Sequence, residues 1–95
     1  MAMSEAVIVL HDPAGHQFEV TIDNHRAYLA YMDLGKQTLD IYRTFVPAAL
    51  RGHGVAAALT EQALEYAQTS GYSVIASCSY VERYMQRQQR QLAKG

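Results

Sequence analysis

The chain has no tryptophan, one cysteine and two prolines in 95 residues. A single cysteine, Cys78, excludes an internal disulfide framework, and its free thiol suits a reducing compartment. Charge of neither sign dominates. Lys and Arg number 8 against 9 Asp and Glu, for a net charge of −1, which leaves no general footprint for nucleic-acid binding. The basic density is local, with Arg83, Arg87, Arg90 and Lys94 near the C-terminus. No apolar run approaches the roughly 18–20 residues of a membrane span. The opening MAMSEAVIVL carries no basic segment, and Asp12-Pro13 follow closely. That stretch reads as a strand rather than a signal peptide, and a cytoplasmic location is expected. No histidine pair has metal-site spacing with Cys78, so no metal is expected. With no repeat or linker visible, residues 1–95 form one domain, with little area to spare for a core.

What is present is periodicity. Ala6 to Leu10 is a short strand-like run, and Asp12-Pro13-Ala14-Gly15 is a turn signal. Gln17 to Ile22 alternates, with Phe18, Val20 and Ile22 on one face. Asp23-Asn24 turns the chain into a third strand, Arg26 to Leu34, with Tyr28 and Tyr31 on opposite faces. Gly35-Lys36 leads to a fourth, Gln37 to Val46, which Pro47 stops. Connections this short predict an antiparallel meander.

The period then changes. A helical run from about Ala49 to Ser70 places Val55, Ala58, Leu59, Ala63, Tyr66 and Ala67 on one face. Gly71 suits the position just past its end. Tyr72 to Ser77 reads as a fifth strand, buried around Val74 and Ile75, and a strand–helix–strand unit makes strands four and five parallel. From Ser79 a second helix has Val81, Tyr84 and Met85 on one face, then fades into the polar run Gln86 to Gln91, which is expected to be solvated and frayed. The fold class is α+β, with a final part of α/β character.

Arg51-Gly52-His53-Gly54-Val55-Ala56 stands between the fourth strand and the helix. A helix start offers unpaired N–H groups and the positive end of a dipole. Glycines let a ligand approach the backbone, and Arg51 adds a cation, so the stretch suits a phosphate or pyrophosphate. A P-loop would need Lys-Ser/Thr where Ala57-Ala58 follow. A dinucleotide fingerprint would open a parallel sheet, not follow a meander. The plain alternative is an ordinary helix start with glycines for a tight turn.

The stretch resembles the R/Q-x-x-G-x-G/A motif of the GCN5-related N-acetyltransferases, and the order of elements agrees. The segments Val46 to Gly54 and Ser77-Cys78-Ser79-Tyr80-Val81 narrow the resemblance to a minimal stand-alone subgroup, the YjdJ-type and N-acetyltransferase-domain-containing-protein-1-like domains. It implies a GNAT-like (acyl-CoA N-acyltransferase) fold: a four-stranded antiparallel meander, a helix, a parallel fifth strand and a C-terminal helix. It also implies that backbone amides of Arg51 to Ala56 hold the pyrophosphate of acetyl-coenzyme A, so Arg51, Gly52, His53, Gly54, Val55 and Ala56 become cofactor-binding candidates. The pantetheine arm would lie where strands four and five splay, against Phe45 and Val46, and a backbone N–H there could stabilise the thioester oxyanion. The chain departs from the subgroup in three places. Arg43 replaces a strand-four histidine, Ala76 replaces a proline, and the helix after Tyr84 lacks a His-Pro or Asn-Pro pair.

Cys78 is the sharpest side-chain candidate. It could accept the acetyl group as a thiolate, line the thioester site without reacting, or be a small buried hydrophobe. Tyr80 is placed by the resemblance to protonate the leaving thiolate, whereas Tyr84 suits helix–sheet packing. Arg43 could face the site and meet an acidic group of the acceptor, or pair with Asp40. His53 would contact phosphates or solvent, and His11, His16 and His25 are expected to be exposed at turns. Asp33, Asp40 and Glu82 are available as a general base, with nothing to order them. The expected function is acetyl-CoA-dependent N-acetylation of an amine, by direct attack or through Cys78, with no nucleic-acid or membrane partner. Because the chain starts directly with a strand, the acceptor site is expected to be shallow, open or completed by a partner, and an open site would suit a protein lysine better than a small metabolite. The alternatives are a non-catalytic coenzyme A or acyl-CoA binding module and a small interaction protein without cofactor.

Overall fold

Turn chemistry and alternation build the sheet in chain order. The computed structural model describes residues 7–94. Four strands come first: β1 (Leu10–Asp12), β2 (Gln17–Ile22), β3 (His25–Gly35) and β4 (Thr38–Phe45). A single 3-10 turn at Ala48–Leu50 leads to α1 (Val55–Thr69), then β5 (Ser73–Ala76) and α2 (Ser79–Lys94). The five strands lie side by side in sequence order. All neighbours are antiparallel except β4 and β5, which α1 joins in parallel. Asp23-Asn24 closes the β2–β3 hairpin with φ of 51° and 66°, the left-handed pair that matches strand twist and that Asp and Asn tolerate.

One face of the sheet carries the core. Phe18, Val20, Leu29, Tyr31, Leu39 and Ile41 meet Val55, Leu59, Ala63 and Ala67 of α1 and Val81 of α2 in one buried cluster. The opposite face leaves Leu10, Met32, Phe45 and Ile75 exposed. Fully burying a side chain such as Leu29 or Leu59 contributes about 1.5–3 kcal/mol, so this single layer of contacts holds the domain.

The structure corrects several expected boundaries. Pairing in the first strand begins only at Leu10, the last residue of the expected run, and extends to Asp12; Ala6 lies outside the described residues. α1 starts at Val55 rather than near Ala49, because Gly52 and Gly54 adopt left-handed φ of 85° and 76° and break any continuous helix. β5 is an edge strand of four residues. Only Val74 of its expected buried pair turns toward the helices; Ile75 is 49% exposed on the open face. α2 does not fade at Gln86 but continues to Lys94; the side chains of Arg90 and Lys94 lie outside the described residues.

His11 is not an exposed turn residue. β1 pairs His11 with Phe18, which turns the imidazole inward, stacked on Phe18 at 4.1 Å and edge-on to Tyr66 at 4.4 Å. Its Nε2 lies 2.7 Å from the Tyr31 hydroxyl. Burial pulls the His11 pKa down, opposed by the charge of Asp12. Burial, then the neighbouring tyrosines and acids, pushes the Tyr31 phenol up to about 12.

Candidate functional site

The site begins where two parallel strands part. β4 and β5 pair from Thr38–Ser73 to Ile41–Ala76 and no further. The Ile41 carbonyl accepts both the Ser77 N–H at 3.0 Å and the Cys78 N–H at 3.1 Å. The Asp40 carboxylate fixes the same corner, accepting from the Ser77 N–H at 3.2 Å and the Ser77 hydroxyl at 3.0 Å. β4 continues to Phe45, paired only with β3. The edge of residues 42–45 on the β5 side therefore offers backbone groups that need partners.

A bulge decides what faces this gap. Ala30 pairs with Arg43 but Tyr31 pairs with Ile41, so Tyr42 has no partner. One extra residue reverses which side chains point inward. Leu39 and Ile41 are buried below the bulge, and Thr44 is the partly buried residue above it. Arg43 and Phe45 turn outward beside Tyr28, whose ring centroid lies 5.9 Å from the Arg43 guanidinium carbon and 5.7 Å from the Phe45 ring. The expectation that Arg43 faces the site or pairs with Asp40 is corrected: Asp40 is occupied by Ser77, and strict alternation fails at Tyr42.

Beyond β4, Leu50 is buried and anchors the loop. The Arg51 Nε–H donates to the Val46 carbonyl at 3.1 Å. Gly54 caps α1 with no side-chain hydrogen bond, and the first helical bond runs from the Ala58 N–H to the Gly54 carbonyl at 3.0 Å. The amides of Val55, Ala56 and Ala57 therefore have no partner within the helix. A Cβ added at Gly52 or Gly54 would meet nothing within 4 Å, so space is open above both. A cavity of about 250 Å³ sits here, lined by Val46, Arg51, Gly52, Gly54, Ala56 and Tyr80 among others. Unpaired amides, a guanidinium and no lining carboxylate fit a bound polyphosphate chain.

Of the cofactor-binding candidates, Val46, Arg51, Gly52, Gly54, Val55 and Ala56 come together around this cavity. Phe45 is on the outer face with Tyr28, and His53 is exposed in the loop. Cys78 is half-buried at the gap, and its thiol donates to the Thr44 hydroxyl at 3.6 Å. Tyr80, at the start of α2, lines the loop cavity. Tyr84 packs behind it with ring centroids 6.4 Å apart. Its pKa is raised by burial first and then by Glu61 and Tyr80, against the lowering effect of Arg87.

None of the three acids considered as a base lines the loop cavity. Asp33 accepts from the Gly35 N–H and the Tyr72 hydroxyl, Asp40 is held by Ser77, and Glu82 lines a groove between α1, β5 and α2. Among the described residues, no group of three or more His, Cys, Asp or Glu could hold a metal ion, and no helix is long and apolar enough to cross a membrane. Sequence reasoning missed Thr44, Leu50 and Ala57 in the site. Thr44 was hidden by the bulge, while the buried Leu50 carried a visible signal, an isolated leucine just before the glycines.

The chain is similar to known proteins over most of its length. The family described as GCN5-related N-acetyl-transferase matches residues 17–94. Protein NATD1 of Xenopus tropicalis is 33% identical over 87 residues, covering 90% of this chain and 80% of that protein. Protein NATD1 of Mus musculus is 34% identical over 79 residues, 81% of this chain and 72% of the relative. The Homo sapiens protein of the same name is 34% identical over 79 residues, 81% and 70% of the two chains.

Proposed function

Because this chain belongs to the GCN5-related N-acetyltransferase family, we propose that it binds acetyl-coenzyme A at the start of α1 and transfers the acetyl group to an amine. The observation that carries this reading is one cavity shared by Val46 just past β4, the glycine loop, the first turn of α1 and Tyr80. The pyrophosphate takes the unpaired amides of α1 and the charge of Arg51. The pantetheine arm follows the unpaired edge of β4 past Phe45 and Val46 into the gap. There the acceptor nitrogen attacks the thioester carbonyl, a backbone N–H of β4 steadies the oxyanion, and the C–S bond then breaks. The departing thiolate takes its proton from the Tyr80 hydroxyl, the proton of the attacking amine passes to solvent, and solvent returns a proton to Tyr80. The uncovered face of the sheet suits an acceptor presented on a protein, a surface lysine. The free thiol of Cys78 suits the reducing cytoplasm as the compartment.

Direct attack is preferred over acetylation of Cys78. The thiol spends its hydrogen bond on the Thr44 hydroxyl, and thiolate formation requires an adjacent base or cation. The same feature, with Arg43 turned away, favours the binding-module alternative as second reading. Two measurements separate them. A thermal shift with coenzyme A tests binding, and thiol release with acetyl-coenzyme A and a panel of amines and lysine peptides tests transfer. Binding with turnover supports the enzyme. Binding without turnover across the panel leaves the module, and no shift removes both. Intact mass after incubation is expected to show no acetyl adduct that disappears in Cys78→Ala.

A further inference from the structure

We propose that the free edge of β5 takes up an extended, lysine-bearing segment of another protein, as one more strand of the sheet. The inference does not rest on the coenzyme A reading. β5 pairs with β4 along one edge only and ends the sheet on that side. The Ser73 N–H donates to the Gln37 carbonyl at 2.8 Å, and the Ser77 N–H to the Ile41 carbonyl at 3.0 Å. Backbone groups face alternate sides along a strand, so the N–H and C=O of Val74 and Ala76 point away from β4. No turn or cap among the described residues takes them. A regular row of donors and acceptors is matched by another extended backbone.

A hollow runs beside that row. Val74 and Ala76 turn toward the helices and Ile75 toward the open face, yet all three line one cavity of about 660 Å³. Successive side chains of a strand point to opposite faces, so the three share a cavity only if it follows the edge. Leu64 of α1 and Met85 of α2 wall it on the helix side, where alternate side chains of an added strand would be buried. Glu82 is the charged residue of the lining among the described residues, and no ion pair found there involves it. That carboxylate chooses the occupant. A second copy pairing its own β5 would bring two Glu82 side chains to one groove, whereas a lysine on the incoming strand answers the charge. The opposite edge of the sheet is guarded. β1 has three residues, ends at Asp12 and is followed by Pro13, devices that discourage pairing. β5 reads Ser-Val-Ile-Ala and pairs in unbroken register, without charge, proline or bulge.

The probe is the end-blocked heptapeptide Thr-Val-Thr-Lys-Thr-Val-Thr, which reads the same in both directions and puts Val, Lys and Val on one face. In titrations followed by NMR, the amides of Val74 and Ala76 should show the largest shifts. Two isomers of the peptide carry N-methyl groups, one on both valines, the other on the two threonines that flank lysine. Only alternate N–H groups of an added strand face β5, so one isomer should bind about tenfold or more weakly than the other. Equal affinities for the isomers, shifts centred away from β5, or no binding at millimolar peptide would overturn the proposal, and these comparisons use the wild-type protein alone. Glu82→Gln should weaken the lysine peptide about two- to fivefold, the scale of an exposed ion pair, and leave its Lys→Gln analogue unchanged. Equal effects on both peptides would overturn the choice of a lysine-bearing occupant. Concentration-dependent shifts at Val74 and Ala76 without peptide would overturn it too, by giving the edge to a second copy. None of these results bears on coenzyme A binding.

Discussion

Replacing Gly54 separates the backbone conformation of the loop from its openness. Gly54 sits at φ 76° as the cap of α1, and a Cβ there would meet nothing within 4 Å. Gly54→Ala therefore carries a conformational cost without a clash. A left-handed alanine costs roughly 1–2 kcal/mol, and the lost freedom of the unfolded chain returns about 0.4–1 kcal/mol. The net loss is about 1 kcal/mol, a fall in Tm of about 4–8 °C for a domain of this size. Gly54→Asn should lose less, because asparagine tolerates this region. Its side chain nevertheless stands in the space above the amides. With coenzyme A at a hundred times Kd, wild type should gain about 2.7 kcal/mol. That gain should largely vanish in Gly54→Asn, although its own Tm stays near wild type. The assay is a thermal melt of each protein with and without ligand, folding checked by circular dichroism. Gly54→Asn with a wild-type ligand shift would refute the placement of the phosphates over this residue. An unchanged Tm in Gly54→Ala would refute the need for a left-handed cap.

His11 should make stability depend on pH. Its folded pKa lies below 6.5, so the contribution is full above that value and is lost as pH falls from 6.5 through the folded pKa. Urea midpoints should show this slope in wild type and a shallower one in His11→Gln. Tyr31 acts at the other end, since a pKa raised from 10.0 to about 12 means stability lost as pH climbs through that interval. Leu59→Ala, at a fully buried position, should cost about 2–5 kcal/mol, read from chemical denaturation. Thr60→Val, whose hydroxyl only back-bonds to the Ala56 carbonyl at 2.9 Å, should be nearly neutral in the same assay. Asp40→Ala removes both bonds to Ser77 and should cost about 1 kcal/mol, with faster amide exchange at Ser77 and Cys78 as its signature.

Much of the architecture was legible because local chemistry agreed with the fold. Phe18, Val20 and Ile22 alternate without interruption, and the left-handed pair at Asp23-Asn24 fixes the hairpin by side-chain type. Val55, Leu59, Ala63 and Ala67 repeat at helical spacing and are buried. The glycine loop was legible for the same reason, since few residues accept φ near 80°. What failed depended on pairing between distant segments. The inward turn of His11 follows from its register with Phe18. The exposure of Ile75 follows from the sheet being covered by helices on one face only, the face that Val74 takes. The contact of Cys78 with Thr44 follows from a bulge that no local pattern around Tyr42 announces.

That bulge divides β4 into two lengths with different obligations. Thr38 to Ile41 has a neighbour on each edge and two buried side chains, so opening it means unfolding the sheet. Tyr42 to Phe45 has a neighbour on one edge and no fully buried side chain. It can open locally at far lower cost. The length that borders the gap is therefore nearly free of responsibility for folding. Substitutions there can drift, retuning what the gap accepts, while the domain beneath keeps its stability.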